Sequence, residues 1–195
     1  MRRLGISIYP EKSTLAEIKS YLKKTSEFSF SRIFSCLLSV NKPAEEIKKE
    51  FTEINEYAHS LGFEVIVDVS PRVFGELNIS YKDLSFFKEI GADGIRLDAG
   101  FSGLEESIMT YNPQGLIIEI NMSNNVHTLD TIMDYRPNKY KLYGCHNFYP
   151  HRYSGLNLDF YKECTRRFNQ YGLKTAAFVT CADKNAFGPW PTTEG

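Results

Sequence analysis

Short runs of β-branched and apolar residues alternate along the chain with stretches whose apolar positions recur every three or four residues. The runs LGISIY (4–9), RIFSCLL (32–38), EVIVDV (64–69), GIRLD (94–98), GLIIEIN (115–121), YKLYGCHNF (140–148) and LKTAAFV (173–179) predict strands. Between them, start and stop signals mark helices. Thr14 followed by Glu17 predicts a capping box that opens a helix with Leu15, Ile18 and Leu22 on its inner face. Pro43 opens a second helix, which buries Ile47, Phe51, Ile54 and Ala58 and stops near Gly62. Ser80 and Asp83 precede a third, carrying Leu84 and Phe87 and ending near Gly91. Ser102 with Glu105 forms another capping box, and a later helix carries Tyr161, Cys164 and Phe168 up to Gly172.

Strict alternation of strand and helix predicts an α/β protein with a parallel sheet. No GxGxxG follows the first strand and no GxxxxGK[ST] occurs, which weighs against a nucleotide-binding doubly wound sheet. Polar groups stand instead at the end of nearly every strand: Tyr9 and Glu11, Ser39, Asp68 and Ser70, Asp98, Glu119 and Asn121, His146 and Asn147, and Thr180. Polar residues converging from many strand ends are how a (β/α)8 TIM barrel builds its site. The expected fold is therefore of TIM-barrel type, one domain over 1–195. It is expected to be incomplete, because about seven βα strands are legible before the Pro-rich FGPWPTTEG and a whole barrel takes ~250 residues.

Composition narrows the partners. The 195 residues are 42% hydrophobic and 24% charged, enough apolar side chain for a sizeable core. Lys plus Arg is 23 against 24 Asp plus Glu, a net charge of −1, which disfavours nucleic acid as a partner. No apolar run reaches the ~18 residues of a membrane span. Glu11 and Lys12 interrupt the N-terminal segment before a signal-peptide core forms. Cys36, Cys145, Cys164 and Cys181 form no CxxC pair, so reduced thiols in a cytoplasm are expected, and neither a metal nor an organic cofactor is.

The candidate chemistry lies in three carboxylates. Asp68, Asp98 and Glu119 each follow an apolar run and precede a loop; burying them in a sheet is costly unless they are paired or face a wet cavity. Pairing with Arg72 and Arg96 as structural ions is the plain alternative for any one of them. Neighbouring strands run about 4.8 Å apart. Asp98 and Glu119 would then lie ~5 Å apart, the separation of a nucleophile and an acid/base in retaining glycosidases, with Asp68 one strand further. Arg96 stands two residues before Asp98, and Asn121 two after Glu119, so each pair shares a face. His146 and Asn147 end the sixth strand, Arg152 follows in a loop as a candidate anion holder, and Tyr9 and Phe148 offer aromatic faces to a sugar.

The strings GISIYPEKS, DVSPRVF, DGIRLDAGFSG, EINMSN, GCHNFYPHRYSGL, AAFVT and FGPWPTTEG, in this order over the whole length, resemble the MupG family of bacterial 6-phospho-N-acetylmuramidases. The resemblance implies a cytoplasmic glycosidase of peptidoglycan recycling. Such an enzyme cleaves the β-1,4 bond of the phosphorylated amino-sugar disaccharide 6-phospho-MurNAc–GlcNAc. The rim positions that match are Asp68, Arg72, Asp98, Glu119, Asn121, His146 and Asn147. Family members continue through the rest of the barrel into a cyclophilin-like C-terminal domain, which is expected to be absent from 1–195, and with it part of the phosphate pocket. Two rivals stand beside this expectation. One is a barrel lyase or isomerase on a sugar phosphate, with Glu119 or His146 abstracting a proton. The other is an inactive fragment or sugar-phosphate binding remnant. Oligomeric state is left open.

Overall fold

The computed structural model describes residues 3–37, 40–98, 100–121, 129–135, 137, 142–148 and 154–179. The described strands are β1 (Leu4–Ile8), β2 (Phe30–Cys36), β3 (Glu64–Val69), β4 (Gly94–Leu97), β5 (Ile117–Asn121), β6 (Leu142–Phe148) and β7 (Lys174–Val179). They pair in chain order, every neighbour parallel, as a curled, incomplete barrel of TIM type. Parallel neighbours need crossovers, and helices supply them: α1 (Leu15–Ser26), α2 (Ala44–Ser60), α3 (Pro71–Glu76), α4 (Ser85–Glu89), α5 (Gly103–Tyr111), α6 (Leu129–Asp134) and α7 (Ser154–Tyr171).

Both expected capping boxes form. The Thr14 hydroxyl accepts from the Glu17 amide at 3.3 Å while the Glu17 carboxylate accepts from the Thr14 amide at 2.8 Å; Ser102 and Glu105 repeat this at 3.3 and 2.7 Å. Each box satisfies helix-end amides that would otherwise be orphaned, worth about 1 kcal/mol. The α2 stripe Ile47, Phe51, Ile54 and Ala58 is buried as the 3.6-residue period requires. Gly62, at φ +84°, turns the chain out of that helix in the left-handed region, where a Cβ would be strained.

Along each strand, alternate residues serve two interiors. Ile33, Val65, Val67, Ile95, Leu97, Ile118 and Ile120 face outward into a core shared with the helices, among them Leu22, Phe51, Phe74 and Phe87. Gly144 on β6 lets α7 approach closely: a Cβ there would lie 2.4 Å from the Phe168 ring. The other alternating set lines the barrel, and the strand registers order it into rows. Arg32 pairs with Glu64. Phe34, Ile66, Gly94 and Ile117 form an apolar row above them. Above that runs Cys36, Asp68, Arg96, Glu119, Tyr143 and Lys174, and at the rim Asn121 pairs with Cys145.

The structure trims and adds elements. β4 stops at Leu97, so Asp98 lies just beyond the strand, and Tyr9 follows β1 at the head of a 3-10 turn (Pro10–Lys12). The third expected helix is the short α4, reduced to Ser85–Glu89. α3 was not anticipated; Pro71 takes its first turn, where the missing N–H costs nothing. Nor was α6. Six residues are too few to show a helical period. Among the described residues no helix is long and apolar enough to cross a membrane.

Candidate active site

β3, β4 and β5 bring Asp68, Arg96 and Glu119 side by side, because Asp68 registers with Arg96 and Arg96 with Glu119. An arginine thus stands between two carboxyls along the row. All three are buried, at 6%, 3% and 3% exposure. Charges so deeply placed persist only with partners.

Glu119 has a strong one. Arg32 Nη1 of β2 lies 2.5 Å from Glu119 Oε1, an ion pair without the alignment of a hydrogen bond. The same guanidinium donates through Nε to Glu64 Oε1 at 2.8 Å, and Arg3 donates to Glu64 Oε2 at 2.9 Å. Burial pushes the Glu64 carboxyl up, but the two guanidiniums outweigh it and hold Glu64 below the usual carboxylate range. Arg32 also stacks over the Tyr143 ring, 5.4 Å from its centroid. The floor of the barrel is thus an ion network running from Arg3 to Glu119.

Asp68 is held differently. The Arg96 guanidinium lies over the Phe34 ring at 5.1 Å and brings Nε only to 3.9 Å from Asp68 Oδ1, too far for a hydrogen bond. Asp68 Oδ1 is buried without a hydrogen-bond partner, while Oδ2 accepts from the Cys36 thiol at 3.7 Å. Burial, then the negative charge of Asp98, raises the Asp68 carboxyl to about 8, against the opposing pull of Arg96 and Cys36. Asp68 therefore keeps its proton at neutral pH. A carboxyl raised in this way has the acidity a general acid needs near neutral pH.

Asp98 stands at the rim, half-buried, and accepts from Asn121 Nδ2 at 2.8 Å. Its loop is anchored by Phe101, edge-on to Phe74 at 5.7 Å and to Tyr81 at 6.1 Å. Tyr9 lies near Cys36 and Asp68; burial is the first cause that raises its phenol above the ordinary value. Arg72 turns away from the row: it donates to Glu76 Oε1 at 2.7 Å on its own helix, and Glu76 also accepts from the Val40 amide.

His146, Asn147 and Phe148 form the end of β6, paired with Ala177, Phe178 and Val179 of β7. Arg152 lies outside the described residues, as do Ser39 and Thr180. Sequence reasoning missed Arg32, Glu64 and Cys36. The available signal for the first two was a charged residue at the start of an otherwise apolar strand, a position no local pattern requires to be charged. Among the described residues no three His, Cys, Asp or Glu side chains are arranged to hold a metal ion.

A curled, incomplete barrel of TIM type with buried carboxyls toward the C-terminal ends of its strands defines the class of fold, one that places polar groups where barrels carry their sites. Within that class, the family model described as 6-phospho-N-acetylmuramidase, N-terminal, matches residues 4–195, and the chain belongs to that family. The family name is that of a glycosidase acting on a phosphorylated muramic acid.

Among solved structures, an uncharacterized B. cereus protein is 47% identical, with a TM-score of 0.71 over 89% of this chain and 46% of that one. A conserved Enterococcus faecalis protein of unknown function is 22% identical, with a TM-score of 0.71, 89% of this chain and 47% of that one covered. The chain thus spans about half the length of each. A GH20 exo-β-N-acetylglucosaminidase from Vibrio harveyi, solved with N-acetylglucosamine, shares the fold at 8% identity and a TM-score of 0.56, covering 90% of this chain and 41% of its own. No curated protein matches the chain.

Proposed function

We propose that the protein hydrolyses the β-1,4 bond of 6-phospho-MurNAc–GlcNAc to 6-phospho-MurNAc and GlcNAc, in the cytoplasm, as a step of peptidoglycan recycling. The observation that carries this reading is Asp68, a carboxyl kept neutral at the rim end of β3 within reach of the field of Asp98. Asp68 donates its proton to the glycosidic oxygen, which leaves with the C–O electron pair, and Asp98, oriented by Asn121, supplies the second carboxylate, through which the oxygen of water comes to take the leaving oxygen's place on the anomeric carbon. Glu119 is committed to Arg32 and holds the floor on which this pair stands. The family description supports the muramic acid phosphate as substrate.

The test is release of GlcNAc from the phosphorylated disaccharide beside the unphosphorylated one. Phosphate-dependent release is expected, and Asp68→Asn and Asp98→Asn each lower turnover by about 10²–10⁴-fold with the fold retained. Glu119→Gln separates this pair from the Asp98–Glu119 pair read from strand spacing: here it keeps turnover within about tenfold. Cleavage of the unphosphorylated sugar alone would remove the phosphate from the assignment.

A further inference from the structure

Cys36 is the last residue of β2 and the register partner of Asp68. Its side chain is 3% exposed and lies inside the barrel, apart from the helix-facing core to which Ile33 and Leu37 belong. Its neighbours there are polar. The thiol donates to Asp68 Oδ2 at 3.7 Å, and the Leu37 amide next in the chain donates to the Asp68 carbonyl at 3.1 Å, so the two residues are tied through both side chain and backbone. Burial, and then the Asp68 carboxyl, push the thiol up, so it stays protonated and available as a donor.

We propose that Cys36 is a positioning residue for the glycosidase reaction, its thiol holding Asp68 Oδ2 in place and donating a hydrogen bond to the carboxylate left when Asp68 gives up its proton. This rests on the reading of Asp68 as the acid. When the Asp68 O–H bond breaks, the proton passes to the glycosidic oxygen, which takes the C–O electron pair. The negative charge then remains on Asp68. Arg96 meets it on the Oδ1 side, but at 3.9 Å and without a hydrogen bond. On the Oδ2 side the donor is the thiol, which keeps its own proton throughout. A donor whose bond strengthens as charge develops favours the transition state over the ground state.

The charged and titratable groups that act on Asp68 come from each neighbouring element: Cys36 from β2, Arg96 and Asp98 from β4 and its loop, Glu119 from β5, and Tyr9 after β1. Cys36→Ala removes one donor and leaves the others. Cys36→Ser restores a donor of similar shape.

The experiment compares wild type, Cys36→Ala and Cys36→Ser in two measurements. One is the pH profile of kcat on 6-phospho-MurNAc–GlcNAc. The other is the titration of Asp68 followed by its protonated-carboxyl infrared band, assigned by its loss in Asp68→Asn. In Cys36→Ala the alkaline limb and the infrared midpoint both move up, by about half to one pH unit, kcat falls about tenfold, and KM holds. Cys36→Ser returns both to wild type or below. An Asp68 midpoint that is the same in all three folded proteins overturns the proposal, whether or not the disaccharide is cleaved. A midpoint that moves as described in a protein that cleaves nothing leaves the Cys36–Asp68 coupling standing and removes the glycosidase reading instead.

Discussion

Asp68, the acid of the proposed reaction, also carries a stability cost. Its folded value of about 8 lies above the ordinary aspartate value of 3.8. Between those two values the native state keeps a proton that the unfolded chain has released. Stability therefore falls as pH rises through that window, at no more than ~1.4 kcal/mol per pH unit, and levels off above it. Asp68→Asn is neutral at every pH and close in shape. It is expected to flatten this dependence and to exceed wild type in stability at pH 8, while losing turnover. Urea midpoints at pH 5 and pH 8 measure this; an equal fall in both proteins would show that Asp68 ionises in the fold as freely as in water. At this scale Asp68 and Asp98 were legible as candidates, because a carboxylate that ends an apolar run needs a reason. Cys36 was not, because a buried cysteine in a strand reads as a small apolar residue.

Among the elements, Arg32 adds a side-chain tie from β2 to its ladder neighbour β3 through Glu64 and reaches β5, with which β2 shares no ladder, through Glu119. Arg32→Met would leave two carboxylates facing each other's field without their shared cation. Removing one partner of a buried pair is far costlier than the pair is worth. With Arg3 still on Glu64, the expected loss is about 2–4 kcal/mol by urea unfolding at pH 7. Arg32→Lys recovers only part of it, since an ammonium cannot fork between two carboxylates. A Met variant within half a kcal/mol of wild type would show the network to be inert. The strands, the capping boxes and the long helices α1, α2 and α7 were readable from local pattern. α3 and α6 were not, since a six-residue helix completes too few turns to display its period. The pairing of Arg32 with Glu119 was out of reach for another reason: β2 and β5 are not neighbours in the sheet, and only the curl of the barrel brings their inner faces together.

For the whole molecule, burial is graded across the sheet. β3, β4 and β5 are covered on both faces and paired on both sides, whereas β1 leaves Leu4 and Gly5 exposed. Native-state hydrogen exchange at neutral pH is therefore expected to be slowest for the amides of β3–β5 and faster by at least tenfold for those of β1. Equal protection in β1 would mean that the sheet opens only as a unit. The same gradient places Asp68, Arg96 and Glu119 where they are most desolvated, which is why the Asp68 carboxyl is raised.

What the amino-acid order determined by itself was local: alternation of apolar and polar residues along short runs, helix start and stop signals, and the acids that close the strands. Those features depend on neighbours within a few positions, so they specify the parallel α/β architecture and the rim on which chemistry sits. The tertiary structure decided which carboxyl is raised, which is paired with an arginine, and which thiol donates to Asp68. Those outcomes depend on strand register, curl and desolvation, with partners such as Cys36 and Asp68 lying 32 positions apart in the chain. No local pattern encodes the dielectric environment that such distant segments create when they pack.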